Sequence, residues 1–318
     1  MILITGSNGF LGSSIVDRVQ HKGVKLLDRG GDNKHSCCEF FQHEINGHED
    51  YRHALEDCNT VIHCAARVHV MSDKVDNPLM LYREINTSGT TNLAKQAVEA
   101  GVKRFIFISS IKVNGENSTG KVPFMASDPH SPKDDYGLSK SEAEKDLMQL
   151  GKASGMEIVI IRPTLVYGPG VKANFASLMN LVSKGIPLPF GRITKNERSL
   201  VSVDNLVDLI VTCIDHPKAA NQVFLVSDDH DVSTSEMVRQ MALALGKPTW
   251  QLPVPVWCYN LAGKLFNKSD VVDRLTGSLQ VDIMHTKERL GWAPPQTLQE
   301  GFKKTAEAFL KSKQSSGY

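Results

Sequence analysis

The 318-residue sequence lacks most of the features that mark a special class of protein. No apolar run approaches the roughly 20 residues of a membrane helix; the longest, such as Phe105–Ile108 and Ile158–Ile161, are strand-sized. No basic region precedes the opening Met1-Ile2-Leu3-Ile4-Thr5-Gly6, so a secretory signal is not expected. The six cysteines form no CxxC pair, and a chain this long does not need disulfides to hold a core, so free thiols in a reducing cytoplasm are expected. His35, His43, His48, His53, His63 and His69 crowd together, but no HxH or HExxH arrangement accompanies them, and no metal is expected. Charge of one sign is missing too: 36 basic against 35 acidic side chains leave a net +1, with no general electrostatic pull toward nucleic acid or an anionic membrane. There is no repeat or low-complexity tract beyond a polar tail, Lys311–Tyr318, which should fray. With 41% hydrophobic and 22% charged residues, the chain reads as soluble and globular. Its length suits one large α/β unit or two joined lobes.

Short β-rich runs alternate with segments of helical period. Strands are predicted at Ile2–Thr5, Val24–Leu27, Thr60–His63, Phe105–Ile108 and Ile158–Ile161, with a weaker one near Phe40–Ile45. Their continuous apolar character suits parallel strands buried on both faces. Helices are predicted at Gly9–His21, Asp50–Glu56, Pro78–Ala100 and Gly137–Gly151. This alternation predicts a doubly wound parallel sheet of the Rossmann type. After about Pro163 the rhythm changes: Gly168-Pro169-Gly170 and Pro187–Gly191 mark loops. Regular elements return at Ser199–Val203, Asp204–Asp215, Val223–Val226 and Ser235–Leu245, the last capped by Thr234 or Ser233. The expected division is a dinucleotide-binding domain of residues 1–165 plus about 199–226. A smaller C-terminal substrate-binding lobe takes about 166–198 plus 227–318.

The strongest local signal is Thr5-Gly6-Ser7-Asn8-Gly9-Phe10-Leu11-Gly12, which follows the first strand and opens the first helix. Its glycines permit a tight turn, close approach of a pyrophosphate, and helix-on-strand packing. The helix N-terminus then offers free N–H groups and partial positive charge to the anion. Asp28, ending the second strand, can accept hydrogen bonds from both adenosine ribose hydroxyls, which favours NAD. Arg29 beside it could instead hold a 2′-phosphate, so NADP stays open.

Tyr136-Gly137-Leu138-Ser139-Lys140 places a phenol and an ammonium four residues apart, on one helix face. A free tyrosine is a poor base at neutral pH, and a neighbouring Lys⁺ together with the positive nicotinamide ring would bring it into working range. Tyr136 could then move a proton to or from an alcohol while hydride moves at the same carbon. Upstream, Phe105–Ile108 runs into Ser109 and Ser110, two hydroxyls at the carboxyl end of a strand, where open α/β sheets place ligands. Ser110 could hold the reacting oxygen and orient Tyr136.

Together these segments resemble the extended short-chain dehydrogenase/reductase superfamily, in its NAD-dependent nucleotide-sugar epimerase/dehydratase branch. The resemblance runs over nearly the whole chain. It includes Thr5–Gly12, Val61–Ala66, Asn86–Leu93, Phe107–Ser110, Tyr136–Lys140, Arg162–Gly170, Arg198–Asp204 and the closing Leu290-Gly291-Trp292. The resemblance implies an enzyme with Ser110, Tyr136 and Lys140 as catalytic residues. The residues expected to line the dinucleotide are Gly6, Asn8, Gly9, Phe10, Leu11, Gly12, Asp28, Arg29, Glu44, Ile45, Ala65, Ala66, Asn86, Ser109, Tyr136, Lys140, Pro163, Leu165 and Val166. On the substrate side it implies Ser110, Lys112, Asn174, and Arg198 and Arg274 as a diphosphate grip. It further implies a UDP-sugar substrate and a homodimer through the helices at Pro78–Ala100 and Gly137–Gly151.

Three departures carry information. Glu44 stands where the family usually holds adenine with an aspartate. Asn114 replaces the usual tyrosine after Ser110. Ile111-Lys112 replaces the Asp-Glu pair that serves water elimination in the 4,6-dehydratases, which argues against that reaction. A UDP-sugar 4-epimerase, removing and returning hydride at C4, is the leading expectation, in surface-polysaccharide sugar synthesis. Alternatives are an NAD(P)H-dependent 4-reductase of a UDP-4-keto-6-deoxy-N-acetylhexosamine and, more distantly, a non-catalytic dinucleotide-sensing protein. The loop Asn114–Asp135, rich in Gly, Pro, Ser and Asp, is read either as a lid over the sugar or as a disordered surface loop.

Overall fold

The computed structural model describes residues 1–31, 33, 35–68 and 77–315, with the side chains of residues 173, 174 and 315 left aside. His69 and Asp32 fall outside the described residues. In chain order the strands are β1 (Ile2–Thr5), β2 (Val24–Asp28), β3 (Glu39–Gln42), β4 (Thr60–His63), β5 (Arg104–Ile108), β6 (Glu157–Pro163), β7 (Leu165–Tyr167), β8 (Arg198–Ser202), β9 (Gln222–Val226) and β10 (Asp231–Val232). The helices of the first half are α1 (Phe10–Val19), α2 (Arg52–Leu55), α3 (Pro78–Tyr82), α4 (Thr90–Glu99) and α5 (Asp135–Ser154). Those of the second are α6 (Ala173–Ser183), α7 (Val203–Asp215), α8 (Thr234–Ala244), α9 (Val256–Leu265), α10 (Ser269–Thr276), α11 (Met284–Leu290) and α12 (Leu298–Ser315).

Seven strands form one parallel sheet in the order β3-β2-β1-β4-β5-β6-β9. The winding direction reverses between β1 and β4, which puts a ligand crevice at their carboxyl ends. Central strands are buried on both faces, as their unbroken apolar sequence requires. One face packs α1 and α7, through Ile15, Val16, Leu206 and Ile210. The other packs α2, α4 and α5, through Leu55, Leu93, Ala97 and Leu147.

The segment expected as one helix over Pro78–Ala100 is continuous but not uniform. Between α3 and α4, residues Arg83–Gly89 widen into a π-helical stretch. Gly89 there lies against Ile45, leaving no room for a Cβ. The wide turn aims the buried Asn86 inward, the kind of distortion often found at functional sites.

The smaller lobe has its own core, in which Tyr167, Phe175, Met179, Met237, Met241 and Phe302 meet. A three-stranded sheet, β10-β8-β7, supports it. Ser233 rather than Thr234 caps α8, accepting from the Glu236 N–H at 3.1 Å. The chain then returns: Leu279, Val281, Ile283, Leu290 and Trp292 pack into the core beneath the large sheet. Arg198–Ser202 pairs in the small sheet, whereas α7 and β9 join the large one. The loop between Asn114 and Asp135 is neither free nor disordered. Ser118 and Phe124 donate backbone N–H groups to Ser278 and Gln280, and Asp282 donates back to Phe124.

Candidate active site

The glycine turn fits a dinucleotide. Gly6 has φ +67°, open to glycine without strain, and a Cβ there would lie 2.8 Å from the Ala65 nitrogen. A Cβ on Gly12 would lie 2.0 Å from the Gly6 carbonyl oxygen, so α1 sits as close to β1 as backbone allows. Ala65 is thereby pressed against the turn, its N–H donating to Thr5 Oγ1 at 3.2 Å. The Asp28 carboxylate is fixed at the neighbouring strand end, accepting from the Asn8 N–H (2.9 Å, Oδ2) and the Arg29 N–H (2.9 Å, Oδ1). A cradle that a Cβ would fill, with a carboxylate beside it, is the donor and acceptor set that NAD requires. Phe10 and Leu11 begin α1 above it and pack on the core.

Beneath the cradle, His63 is fully buried and bonded on both ring nitrogens, Nδ1 to Thr5 Oγ1 (2.6 Å) and Nε2 to Thr90 Oγ1 (2.9 Å). Burial pushes it down to about 3, with Lys140 adding to the effect, so it stays neutral. This hydroxyl–imidazole–hydroxyl brace, which ties β1, β4 and α4 together, was not read from the sequence. The other described histidines of the crowded segment go separate ways; His43, for instance, meets Glu49 at 2.8 Å. Among the described residues no three His, Cys, Asp or Glu side chains converge as metal ligands.

At the end of β5, Ser110 and Tyr136 come together. Ser110 accepts from the Lys112 N–H at 3.2 Å, and its hydroxyl stands near enough to that of Tyr136 to favour the phenolate. Asp134 caps α5, accepting from the Gly137 N–H at 2.7 Å, which sets Tyr136 in the helix's first turn. Lys140, one turn on, is fully buried, donates to the Ile108 carbonyl at 2.9 Å and lies 4.4 Å from the Phe107 ring centroid.

The chain's own groups supply only part of the expected electrostatics. Tyr136 is not brought down by them: burial, with repulsion from Asp134, pushes it up to about 12 against the opposing effect of the nearby Ser110 hydroxyl. Lys140 instead is brought down to about 7 by burial, which Cys64 and Glu144 only partly offset. Lys140 is bonded to a carbonyl and stands over a ring, so the protein's own charges do not make a phenolate.

Several expected site residues turn out to be engaged with the protein. The Ser109 hydroxyl donates to Glu144 Oε1 at 2.5 Å. Asn86 accepts from the Arg67 N–H (2.8 Å) and donates to the Arg67 carbonyl and to Ser139 Oγ (3.0 Å each), so it pins the loop carrying Ala65 and Ala66. Lys112 is paired with Asp134 and with Glu116, which keeps it charged and latches the β5 end to the α5 start. Glu44 is exposed and Ile45 buried after β3. Pro163 ends β6 buried, with Leu165 and Val166 in β7. The Asn174 side chain lies outside the description. Arg198 donates to the carbonyls of Arg274 (2.8 Å) and Gly277 (3.2 Å). Burial and the Arg274 charge both lower Arg198, so two guanidinium groups stand near each other, with no carboxylate paired to either among the described residues.

A second assembly escaped the sequence reading. Glu144 and Arg162, both buried, form a two-armed ion pair, Arg162 Nε to Oε1 at 2.9 Å and Nη2 to Oε2 at 2.5 Å. Arg162 also donates to Asn114 Oδ1 (2.9 Å) and contacts His130 Nε2 (2.7 Å). Glu144 lies four residues beyond Lys140, a carboxylate on the buried helix face, and that spacing was the available signal.

A glycine cradle at the switch point, with a Ser/Tyr/Lys group on adjoining strand and helix ends, defines a dinucleotide-dependent enzyme of the short-chain dehydrogenase/reductase class. The chain belongs to the NAD dependent epimerase/dehydratase family, whose model matches residues 2–227. It is 68% identical over 314 residues to a UDP-glucose 4-epimerase of Vibrio cholerae, covering 98% of this chain and 96% of that one. An N-acetyl-alpha-D-glucosaminyl-diphospho-ditrans,octacis-undecaprenol 4-epimerase of Escherichia coli O157:H7 is 27% identical over 96% of this chain and 94% of its own length. Among solved structures, the Thermotoga maritima UDP-glucose 4-epimerase with UDP-glucose superposes with a TM-score of 0.77 at 24% identity, over 98% of this chain and 99% of that one.

Proposed function

We infer that the protein is an NAD-dependent UDP-sugar 4-epimerase. The observation that carries this is the Ser110–Tyr136 hydroxyl pair beside buried Lys140, placed at the sheet's carboxyl edge next to the Gly6–Gly12 cradle. The likeness to the Vibrio cholerae enzyme supports it. Gly6, Gly9, Gly12 and Asp28 would hold NAD, with Ala65 and Ala66 along its side. Bound NAD would supply the hydride site for C4 and, oxidised, a positive charge that the chain itself does not bring to Tyr136. Ser110 holds the C4 oxygen and Tyr136 exchanges its proton. Asp134, by capping α5, fixes where that phenol stands. Arg198 and Arg274 grip the sugar diphosphate, and Asn174 lies on the sugar side. The dinucleotide domain and the smaller lobe close around the sugar, and the enzyme works in the cytoplasm as a dimer through α3–α4 and α5. The dehydratase reaction is disfavoured because Lys112 stands where an acid would serve, its ammonium paired with Asp134 and Glu116.

Purified protein should interconvert C4-epimeric UDP-hexoses without added cofactor. Tyr136→Phe should lower turnover about 10²–10⁴-fold with NAD affinity nearly intact. Unchanged turnover would remove Tyr136 from its role, and stoichiometric consumption of NADH with a keto sugar would make the protein a reductase. A second reading, a sugar carried on a polyprenyl diphosphate as in the name of the Escherichia coli relative, is favoured by the exposed apolar side chains of α9, next to the helix that carries Arg274.

A further inference from the structure

The α9–α10 hairpin turns its apolar side chains outward. Trp257, Leu261 and Leu265 recur every four residues along α9, which puts them in one stripe, and they are 65%, 61% and 76% exposed. Phe266 extends the stripe at the turn, where Asn267 takes φ +53°, and Val271 on α10 and Trp250 before α9 are exposed too. The inward side is thin: Gly263 lies against Val272, and Tyr259 packs at the edge of the small-lobe core. A surface helix of a globular protein hides its apolar stripe, and contiguous exposed apolar patches mark interaction sites.

The charge around the stripe narrows the occupant. Residues 247–277 hold Lys247, Lys264, Lys268 and Arg274 against Asp270 and Asp273, more positive than the whole chain's net +1. Lys264 and Lys268 flank the stripe and have no ion-pair partner among the described residues. Two tryptophans, large aliphatic side chains and a basic rim are the composition of a segment that lies in a lipid interface. A second copy fits this face poorly, because a two-fold contact would set the same lysines near their own images. The balanced overall charge hides this local excess.

We propose that the α9–α10 hairpin docks the protein on an anionic bilayer surface. Trp257, Leu261, Leu265 and Phe266 enter the headgroup boundary, and Lys264 and Lys268 meet lipid phosphates. Docking is peripheral: among the described residues no helix is long and apolar enough to cross a membrane. The claim goes beyond the proposed reaction and does not depend on it. Because α10 carries Arg274, docking would also set the diphosphate grip beside the membrane.

The test is co-sedimentation of the full chain with vesicles of phosphatidylcholine and phosphatidylglycerol in equal parts, against phosphatidylcholine alone. The protein should sediment with the anionic vesicles and be released at about 1 M salt, where the screening length is about 3 Å. The combined Trp257→Ser, Leu261→Ser, Phe266→Ser variant and, separately, the Lys264→Glu, Lys268→Glu variant should each weaken partitioning about tenfold or more. Both should keep UDP-hexose turnover, or NAD binding if the proposed reaction proves wrong, as proof of folding. A full chain that stays in the supernatant with anionic vesicles overturns the proposal, as do variants that sediment as well as the parent. An apolar variant that halves its mass in light scattering without vesicles would show that a second copy covers the hairpin.

Discussion

Lys140 is held where its charge is costly, and that has a measurable sign. Its folded value of about 7 lies below the ordinary 10.5. Below pH 7 the ammonium is charged in folded and unfolded chains alike, and only the folded chain bears the desolvation. As pH rises from 7 toward 10.5 the folded group sheds its proton and the penalty fades. Lys140→Met should therefore abolish turnover while stabilising the fold by about 1–3 kcal/mol near pH 6. The gain should shrink toward pH 10, read from urea midpoints at the two pH values. A variant less stable at pH 6 than at pH 10, relative to its parent, would show that the carbonyl and ring contacts outweigh desolvation. The placement of Ser110 and Tyr136 was legible in the sequence because each sits at an element end whose position a motif fixes, and Lys140 follows Tyr136 by one helical turn. The roles given to Ser109, Lys112 and Asn86 were less legible, since their partners Glu144, Asp134 and Arg67 are supplied by other elements.

At the scale of elements, the β1–α1 turn and the end of α5 make a controlled comparison of two glycines. A Cβ at Gly12 has 2.0 Å to the Gly6 carbonyl, whereas at Gly155, the left-handed cap of α5 with φ +81°, nothing lies within 4 Å. Gly12→Ala must push α1 off β1. It should cost about 1–3 kcal/mol or more in stability and remove NAD binding measured by fluorescence titration. Gly155→Ala meets only backbone strain, about 1–2 kcal/mol, and should leave NAD affinity unchanged. Equal NAD affinity in both variants would mean that the cradle does not hold the dinucleotide. The first half of the chain could be read element by element because buried parallel strands are continuous apolar runs with Gly or polar turns between them. The small lobe could not. The three-residue β7 carries no period of its own, and α9 shows its apolar stripe to solvent, so its pattern says helix but not where the core lies. The π-helical stretch at Arg83–Gly89 was invisible for another reason: Gly89 and Asn86 take their places from Ile45 and Arg67, remote in sequence.

Across the whole molecule, the two lobes are joined by more than a linker. Tyr167, at the end of β7, donates to Asp228 Oδ2 at 2.6 Å, and Asp228 Oδ1 accepts from the Ser202 N–H (2.8 Å) and Asn205 Nδ2 (2.7 Å). These groups are buried between α12, packed in the small lobe, and α7, packed on the large sheet. Residues 279–292 leave the small lobe to fill the large lobe's core, and residues 115–134 are pinned to 278–282 by backbone hydrogen bonds. Neither lobe can open without exposing apolar surface of the other, so the chain should unfold in a single cooperative step. Tyr167→Phe keeps the ring that stacks on Phe175 but strips Asp228 of one of its donors, a loss of about 1–3 kcal/mol. Calorimetry of that variant should show one transition, shifted down, with calorimetric and van't Hoff enthalpies still equal. Native-state hydrogen exchange should lose protection by the same factor in β1 and in α8, because both report the same global opening. If α8 loosens while β1 keeps the parent's protection, the lobes are separate folding units and the proposed sugar site between them is assembled from parts that move independently.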